Sequence, residues 1–229
     1  MATEIKVIGS PGVRGVLSEL APQFESATGH KVVMDFAVIA VLKRRIAAGE
    51  MFDIVIPDPT LIDELVRQGK VAGDTAAPFG RTGLGVGVRK GMPKPDISSA
   101  DKLKQTLLNA KAVGHSKEGQ SGVNFLEVLN RLGIAQEMRP KLKTYEGNGM
   151  ALAIEAGEVD MVVTGIGPLL GMQAADFVGG LPPGIQRYVK FSIGVSAAAK
   201  DPEAARALLR FLASPAATPV FKARGLERD

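Results

Sequence analysis

Ile5-Lys6-Val7-Ile8-Gly9-Ser10-Pro11-Gly12-Val13-Arg14 is the stretch that decides the fold. Its first half is a short apolar run suited to a buried strand, and Ser10-Pro11-Gly12 breaks it. Val13, Val16, Leu17, Leu20, Ala21 and Phe24 then recur at helical spacing until Gly29. The pattern repeats. Lys31 to Phe36 reads as a strand, and Ile39, Leu42 and Ile46 mark a helix closed by Gly49. Asp53 to Pro57 is a third strand, and Leu61, Ile62, Leu65 and Val66 mark a helix ending at Gly69. Three strand–helix units in succession require parallel strands joined by crossover helices.

Beyond them, Thr82 to Val88 reads as a strand with glycine at alternate positions. Gly83, Gly85 and Gly87 lack GxGxxG spacing and open no helix, so they mark close packing or a bend rather than a nucleotide site. A second series follows: a polar helix from Ser99 to Ala110, a strand from Ala112 to His115, and a loop from Ser116 to Gln120. A helix after Ser121-Gly122 carries Val123, Leu126, Leu129 and Leu132, and another runs from Asn148 to Glu155. Val159 to Val163 is a strand, and Thr164-Gly165-Ile166-Gly167-Pro168 leads into a helix. Tyr188 to Ala199 reads as the last strand, and two closing helices start at Asp201-Pro202 and Ser214-Pro215. No sequence repeat is evident beyond this rhythm of units.

Composition narrows the function. The 229 residues carry a net charge of +4, but Lys43-Arg44-Arg45 is the one tight basic cluster and reads as a solvated helix face. Without a basic stripe or a recognition motif, no nucleic-acid partner is expected. The absence of cysteine excludes disulfides, thiol nucleophiles and Cys-ligated metals. No Trp and only two Tyr argue against sugar or single-strand stacking. His30, read as a surface residue, and His115 are too far apart in sequence for a metal site, so neither metal nor cofactor is expected. No apolar run approaches the ~20 residues of a membrane span, so no membrane insertion is expected. A strand begins at once after Met1, which implies the periplasm if a leader has been removed and the cytoplasm otherwise.

The chemistry is concentrated at junctions. In parallel sheets, ligands bind beyond the carboxyl ends of the strands, where helix N-termini present unpaired N–H groups and partial positive charge. Ser10-Pro11-Gly12, Ser121-Gly122, Asn148-Gly149 and Thr164-Gly165 are small, polar junctions of this kind. Arg14 adds a cation in the first helical turn, against the macrodipole; an anion lying there relieves the conflict, and the guanidinium fork matches a carboxylate. Lys43 and Arg44 are lesser candidates, and His115 stands at a strand end. Catalytic signatures fail: Gly119-Gln120-Ser121-Gly122-Val123 lacks the last glycine of a nucleophile elbow. Gly114 to Ser121 has Gln120 where a phosphate loop needs Lys.

Taken in order, Ile5 to Ser10, Leu20 to Phe24, Thr28 to Val33, Leu42 to Ile46 and Phe52 to Val55 resemble the periplasmic molybdate-binding proteins and other type II solute-binding proteins. Gly149 to Ile154, Ala156 to Asp160, Ala207 to Leu212 and Ser214 to Ala216 with Phe221 extend the resemblance over nearly the whole chain. It implies an α/β, two-lobed type II periplasmic-binding-protein fold: two mostly parallel sheets flanked by helices and joined by two crossing hinge strands, Arg81 to Val88 and Tyr188 to Val195. Lobe I is then 1–82 plus 195–229 and lobe II is 83–194, with the ligand cleft between them. The implied ligand groups are Ser10, Pro11, Gly12, Val13, Arg14, Val38, Ile39, Lys43 and Pro57 in lobe I. In lobe II they are Lys117, Ser121, Gly122, Val123, Asn148, Thr164, Gly165 and Ile166.

Molybdate binders of the family use serine hydroxyls at two such points. Ser10 matches the first, but Phe36-Ala37-Val38-Ile39 offers no hydroxyl at the second, and the family's tyrosine has no counterpart near Thr164-Gly165-Ile166. An organic carboxylate is therefore expected rather than molybdate. The resemblance implies a monomer that binds a small anion and hands it to an ABC transporter permease. The alternative is an isomerase of di- or tricarboxylates, as in the related aconitate isomerase, with His115 or Glu118 as the base and Arg14 and Lys117 steadying the charge.

Overall fold

The computed structural model describes residues 2–228. The chain divides into two compact units, Met1–Arg81 with Lys190–Asp229, and Thr82–Val189.

The first unit opens with β1 (Glu4–Gly9), α1 (Arg14–Thr28), β2 (Lys31–Phe36), α2 (Ile39–Ala47), β3 (Ile54–Ile56) and α3 (Pro59–Arg67). β1 lies between β2 and β3, parallel to both, with Val7 opposite Met34 on one side and Ile54 on the other. Ile5, Val7 and Ile8 are fully buried, as a strand covered on both faces must be. α1 turns Val16, Leu17, Leu20, Ala21 and Phe24 to the core. A buried carboxylate ties the unit together: Asp53 accepts from the backbone N–H of Lys6 at 2.8 Å and of Lys200 at 2.9 Å.

One surface expectation gains detail and another changes. Lys43 and Arg44 are exposed on a solvated helix face, and opposite charges lie within reach of the triplet. Lys43 Nζ pairs with Glu64 at 2.7 Å, and Arg45 pairs with both Asp35 and Glu50. Glu50, bonded by Arg45 and then Lys6, titrates at about 2 instead of in the usual carboxylate range. His30 is half-buried instead of lying on the surface: its Nδ1 accepts from Thr3 N–H at 3.2 Å, and its ring stacks on Phe24 at 6.0 Å.

β4 (Ala77–Arg89) carries the chain into the second unit. There follow α4 (Ala100–Asn109), β5 (Val113–Ser116), α5 (Gln120–Arg131), α6 (Ala135–Met138), β6 (Leu142–Tyr145), α7 (Gly149–Ala156), β7 (Met161–Gly165), α8 (Ile166–Leu170) and β8 (Ala175–Gly180). β5 lies between β6 and β7, parallel to both, and β4 runs antiparallel beside β7. Its core gathers Leu107, Val113, Phe125, Val128, Leu129 and Val163. A Cβ at Gly83, Gly85 or Gly87 would come within 3.0 Å of Gln186, Phe177 or Leu169, so these glycines make room for side chains. The Gln186 amide fills that room by bonding like a strand peptide, accepting from Leu84 N–H at 2.8 Å and donating to Leu84 C=O at 3.0 Å.

β9 (Tyr188–Val195) returns the chain to the first unit, where it runs antiparallel to β3, and α9 (Pro202–Ala213) and α10 (Thr218–Ala223) close it. The last strand stops at Val195 rather than Ala199: Ser196 N–H makes one more bond in register, to Asp53 C=O, and the chain then turns so that Lys200 N–H donates to the Asp53 carboxylate.

The two units share one internal order, with an antiparallel fourth strand in each, and this exposes a repeat that the sequence alone hides. Ile46-Ala47-Ala48-Gly49-Glu50-Met51-Phe52-Asp53 matches Ile154-Glu155-Ala156-Gly157-Glu158-Val159-Asp160 after one deletion. Gly49 and Gly157 both sit at positive φ, 89° and 75°, which side chains avoid. Asp160, like Asp53, uses its carboxylate to bond neighbouring backbone, accepting from Lys111 N–H at 3.1 Å and Ala112 N–H at 3.0 Å.

Candidate functional site

In the first unit, β1, β2 and β3 end at Gly9, Phe36 and Ile56 on one edge. The crossover from β1 to β2 runs one way along the sheet and that from β2 to β3 runs back past β1, which makes the edge a topological switch point. The strand ends are stitched together by Ser10 N–H to Ile56 C=O at 2.9 Å and Ala37 N–H to Gly9 C=O at 3.0 Å. Ser10 is extended (φ −71°, ψ 146°) and only 6% exposed. Its Oγ has no hydrogen-bond partner among the described residues. A buried hydroxyl left in this state costs about 1–3 kcal/mol.

The helix starts around Ser10 differ in a telling way. α3 is capped, since the Asp58 carboxylate accepts from Leu61 N–H at 2.9 Å. α1 and α2 have neither a side-chain cap nor an acid in the first turn, so their positive ends are not offset by a side chain, although the turn before α1 engages the N–H groups of Val13 and Arg14 with Ser10 and Pro11 carbonyls. Val38 and Ile39, at the start of α2, are half-buried, and Pro57 is buried with its carbonyl bonded to Ser192 N–H at 2.9 Å. The turn Pro11–Val13 holds Gly12 so tightly against Phe191 that a Cβ there would meet the ring at 2.4 Å. Arg14, exposed at the first position of α1, lies 4.8 Å over the Phe36 ring and pairs with no carboxylate among the described residues. Lys43 is held by Glu64, away from any such free role.

The second unit has a comparable edge, where β5, β6 and β7 end at Ser116, Tyr145 and Gly165. α5 starts at Gln120 with Gly119 as its N-cap, three residues before the expected start. The Ser116 hydroxyl fixes this start by accepting from Gly119 N–H at 2.9 Å, which places Ser121 and Gly122 inside the first turn. Gly122 is required there, because a Cβ would lie 1.9 Å from the Ser116 carbonyl oxygen. Ser121 Oγ is 3.4 Å from Thr164 Oγ1, and Thr164 is 6% exposed. Val123 and Asn148 are exposed, Gly165 is buried and Ile166 is half-buried.

Lys117 is not a free cation: its Nζ bonds Glu146 at 2.9 Å, which raises its pKa. Glu118 is exposed beside it. His115 is 4% exposed, with Nδ1 3.0 Å from the Ser116 carbonyl and its ring edge-on to Phe125 at 5.7 Å. Burial lowers its pKa, so the imidazole is neutral at pH 7. The carbonyl can only accept, so Nδ1 carries the proton and Nε2 is the remaining acceptor.

Two features escaped the sequence reading. Phe36 lies under Arg14, and Asn124, 6% exposed, donates to Tyr188 C=O at 3.2 Å while accepting from Gln120 Nε2 at 2.9 Å. Asn124 stands between apolar Val123 and Phe125, and a polar residue on the buried face of a helix was the available signal. No group of three metal-ligating side chains gathers among the described residues. An open groove of about 580 Å³ along α7 is lined by Glu155 and Glu158, charges unsuited to an anion. The chemistry at the two strand edges is thus that of anion recognition: uncapped helix starts, hydroxyls and one stacked guanidinium.

The family of bacterial extracellular solute-binding proteins matches residues 5–227. An aconitate isomerase from a Pseudomonas species is 32% identical over 98% of this chain and 88% of its own length. A molybdate-binding protein of Escherichia coli (strain K12) is 26% identical over 97% of this chain and 88% of its own. Among solved structures, the periplasmic molybdate-binding protein of Azotobacter vinelandii has a TM-score of 0.82 at 18% identity, covering 98% of this chain and 99% of that one. That likeness establishes the periplasmic-binding-protein fold.

Proposed function

We propose, from the premise that this chain belongs to the bacterial extracellular solute-binding protein family, that it binds a small organic polycarboxylate of the aconitate type. The observation that carries the reading is the buried, unpartnered Ser10 hydroxyl between two uncapped helix starts. A guest oxygen supplies the bond that this hydroxyl lacks, and the helix ends favour its negative charge. Val38 and Ile39 supply apolar contact where a molybdate site would need hydroxyl donors, which favours a carbon-bearing acid over an inorganic oxyanion. The 32% identity to an aconitate isomerase points the same way. Delivery to an ABC importer outside the cytoplasm completes this reading.

That relative also favours a second reading, in which the guest is isomerised. His115, neutral at pH 7, takes a proton from the methylene carbon of the acid; the double bond shifts by one position, and the proton returns at the far carbon. Charge that develops on the carboxylate meets Arg14 and the helix ends.

Calorimetric titration with trans-aconitate, cis-aconitate, citrate, molybdate and sulfate tests binding. Heat from the carboxylates and silence from molybdate is the expected result, and the reverse pattern refutes the reading. Proton NMR of trans-aconitate with the protein in heavy water separates the two modes: interconversion with deuterium uptake supports catalysis, and an unchanged spectrum of a bound acid supports capture.

A further inference from the structure

Arg14 is in a costly place. It is the first residue of α1, where the helix dipole repels a cation, and no carboxylate among the described residues pairs with it. An exposed arginine there would ordinarily swing into water through many rotamers. Instead its guanidinium carbon stands 4.8 Å over the ring of Phe36, the last residue of β2, and the neighbouring β1 ends one residue before Ser10. Held over the ring, the guanidinium makes no hydrogen bond among the described residues, so its N–H groups stay available to a guest. A planar carboxylate fits the guanidinium edge with two parallel bonds. A tetrahedral oxyanion instead needs donors converging from several directions, and the start of α2 supplies no side-chain donor to help.

We infer that Phe36 is a positioning residue that makes Arg14 a carboxylate reader, and so sets the preference for carboxylates over tetrahedral oxyanions. The inference rests on the carboxylate reading above and specifies where its selectivity arises. It also explains why Phe36, at a strand end beside the site, is aromatic though only half-buried.

The test is calorimetric titration of trans-aconitate and sulfate against the wild type, Phe36→Leu, Phe36→Tyr, Arg14→Leu and the Phe36→Leu/Arg14→Leu pair, with thermal melts of each. Phe36→Leu is expected to weaken trans-aconitate about two- to five-fold, the range of an exposed cation–π contact. Sulfate affinity, weak or strong, stays unchanged, and Phe36→Tyr restores wild-type binding. The double variant matches Arg14→Leu alone, because the ring acts only through the guanidinium. Equal losses for both anions, additive losses in the pair, or no rescue by Tyr would overturn the inference. A wild type that binds sulfate and ignores every carboxylate would instead refute the carboxylate reading and this inference with it. A wild type that binds carboxylates while Phe36→Leu matches it refutes the inference alone.

Discussion

Replacing Ser10 by alanine should move stability and affinity in opposite directions. The Ser10 Oγ is sealed from solvent and unpartnered, so in the free protein it contributes a desolvation penalty and no bond. The penalty of such a group is about 1–3 kcal/mol, and the alanine keeps the backbone, so Ser10→Ala relieves most of it. For a chain of 229 residues, a gain of about 1 kcal/mol raises the Tm by roughly 2–4 °C. With ligand present, the same change deletes a bond to a charged oxygen worth about 1.5–3 kcal/mol, which weakens binding by about ten- to one-hundred-fold. Thermal melts without ligand, followed by titration with trans-aconitate, read both effects from one preparation. A lower Tm in the free variant, or unaltered affinity, would refute the reasoning. The first would mean the hydroxyl supports the fold, and the second that no guest reaches it.

Gly122→Ala places a methyl against a backbone oxygen that cannot move aside alone, so it should cost at least about 1–3 kcal/mol and unravel the start of α5, seen as a lower Tm and lost helical dichroism. Gln186→Leu removes one of the two bonds made by each backbone group of Leu84, whose N–H also donates to Arg187 C=O and whose C=O also accepts from Leu181 N–H. The two lost bonds should lower stability by about 1–3 kcal/mol in urea melts, while Gln186→Glu, which keeps the acceptor alone, falls between. His115 has a folded pKa below its ordinary 6.5, so the unfolded chain binds more protons in mild acid. Its contribution is therefore intact above about pH 6.5 and is lost as pH falls below that value, and His115→Phe should flatten this part of the stability profile. Glu50 titrates at about 2 instead of 4.5, so its stabilisation is present above pH 4.5 and drains away between there and about 2; Glu50→Gln should make that acid limb shallower in melts across pH.

The architecture was legible because the signal for it is redundant. Short strand-forming runs alternate with helices that repeat their apolar stripe, and Gly29, Gly49 and Gly69 punctuate them. Ser10 was legible as a candidate because it follows a strand and precedes a helix. What was hidden depends on partners distant in sequence. The duplicated Ile46–Asp53 and Ile154–Asp160 segments differ by one deleted residue, which breaks the visual alignment, and only the matching bonds of Asp53 and Asp160 expose it. The start of α5 was misjudged because Ser121-Gly122 resembles a cap, whereas Ser116 performs that work from the end of β5. Lys43 and Lys117 looked available in sequence, and Glu64 and Glu146 engage them. Arg14 has no such partner among the described residues, and the ring that holds it comes from a strand whose alternating pattern gave Phe36 no particular meaning.

The central claim is that a carboxylate guest supplies the bond that the buried Ser10 hydroxyl lacks. A crystal structure of the protein grown with trans-aconitate measures this most directly. The account predicts a guest oxygen within hydrogen-bond reach of Ser10 Oγ and a second carboxylate on the edge of Arg14. A guest seated away from Ser10 while that hydroxyl stays unpaired would contradict it.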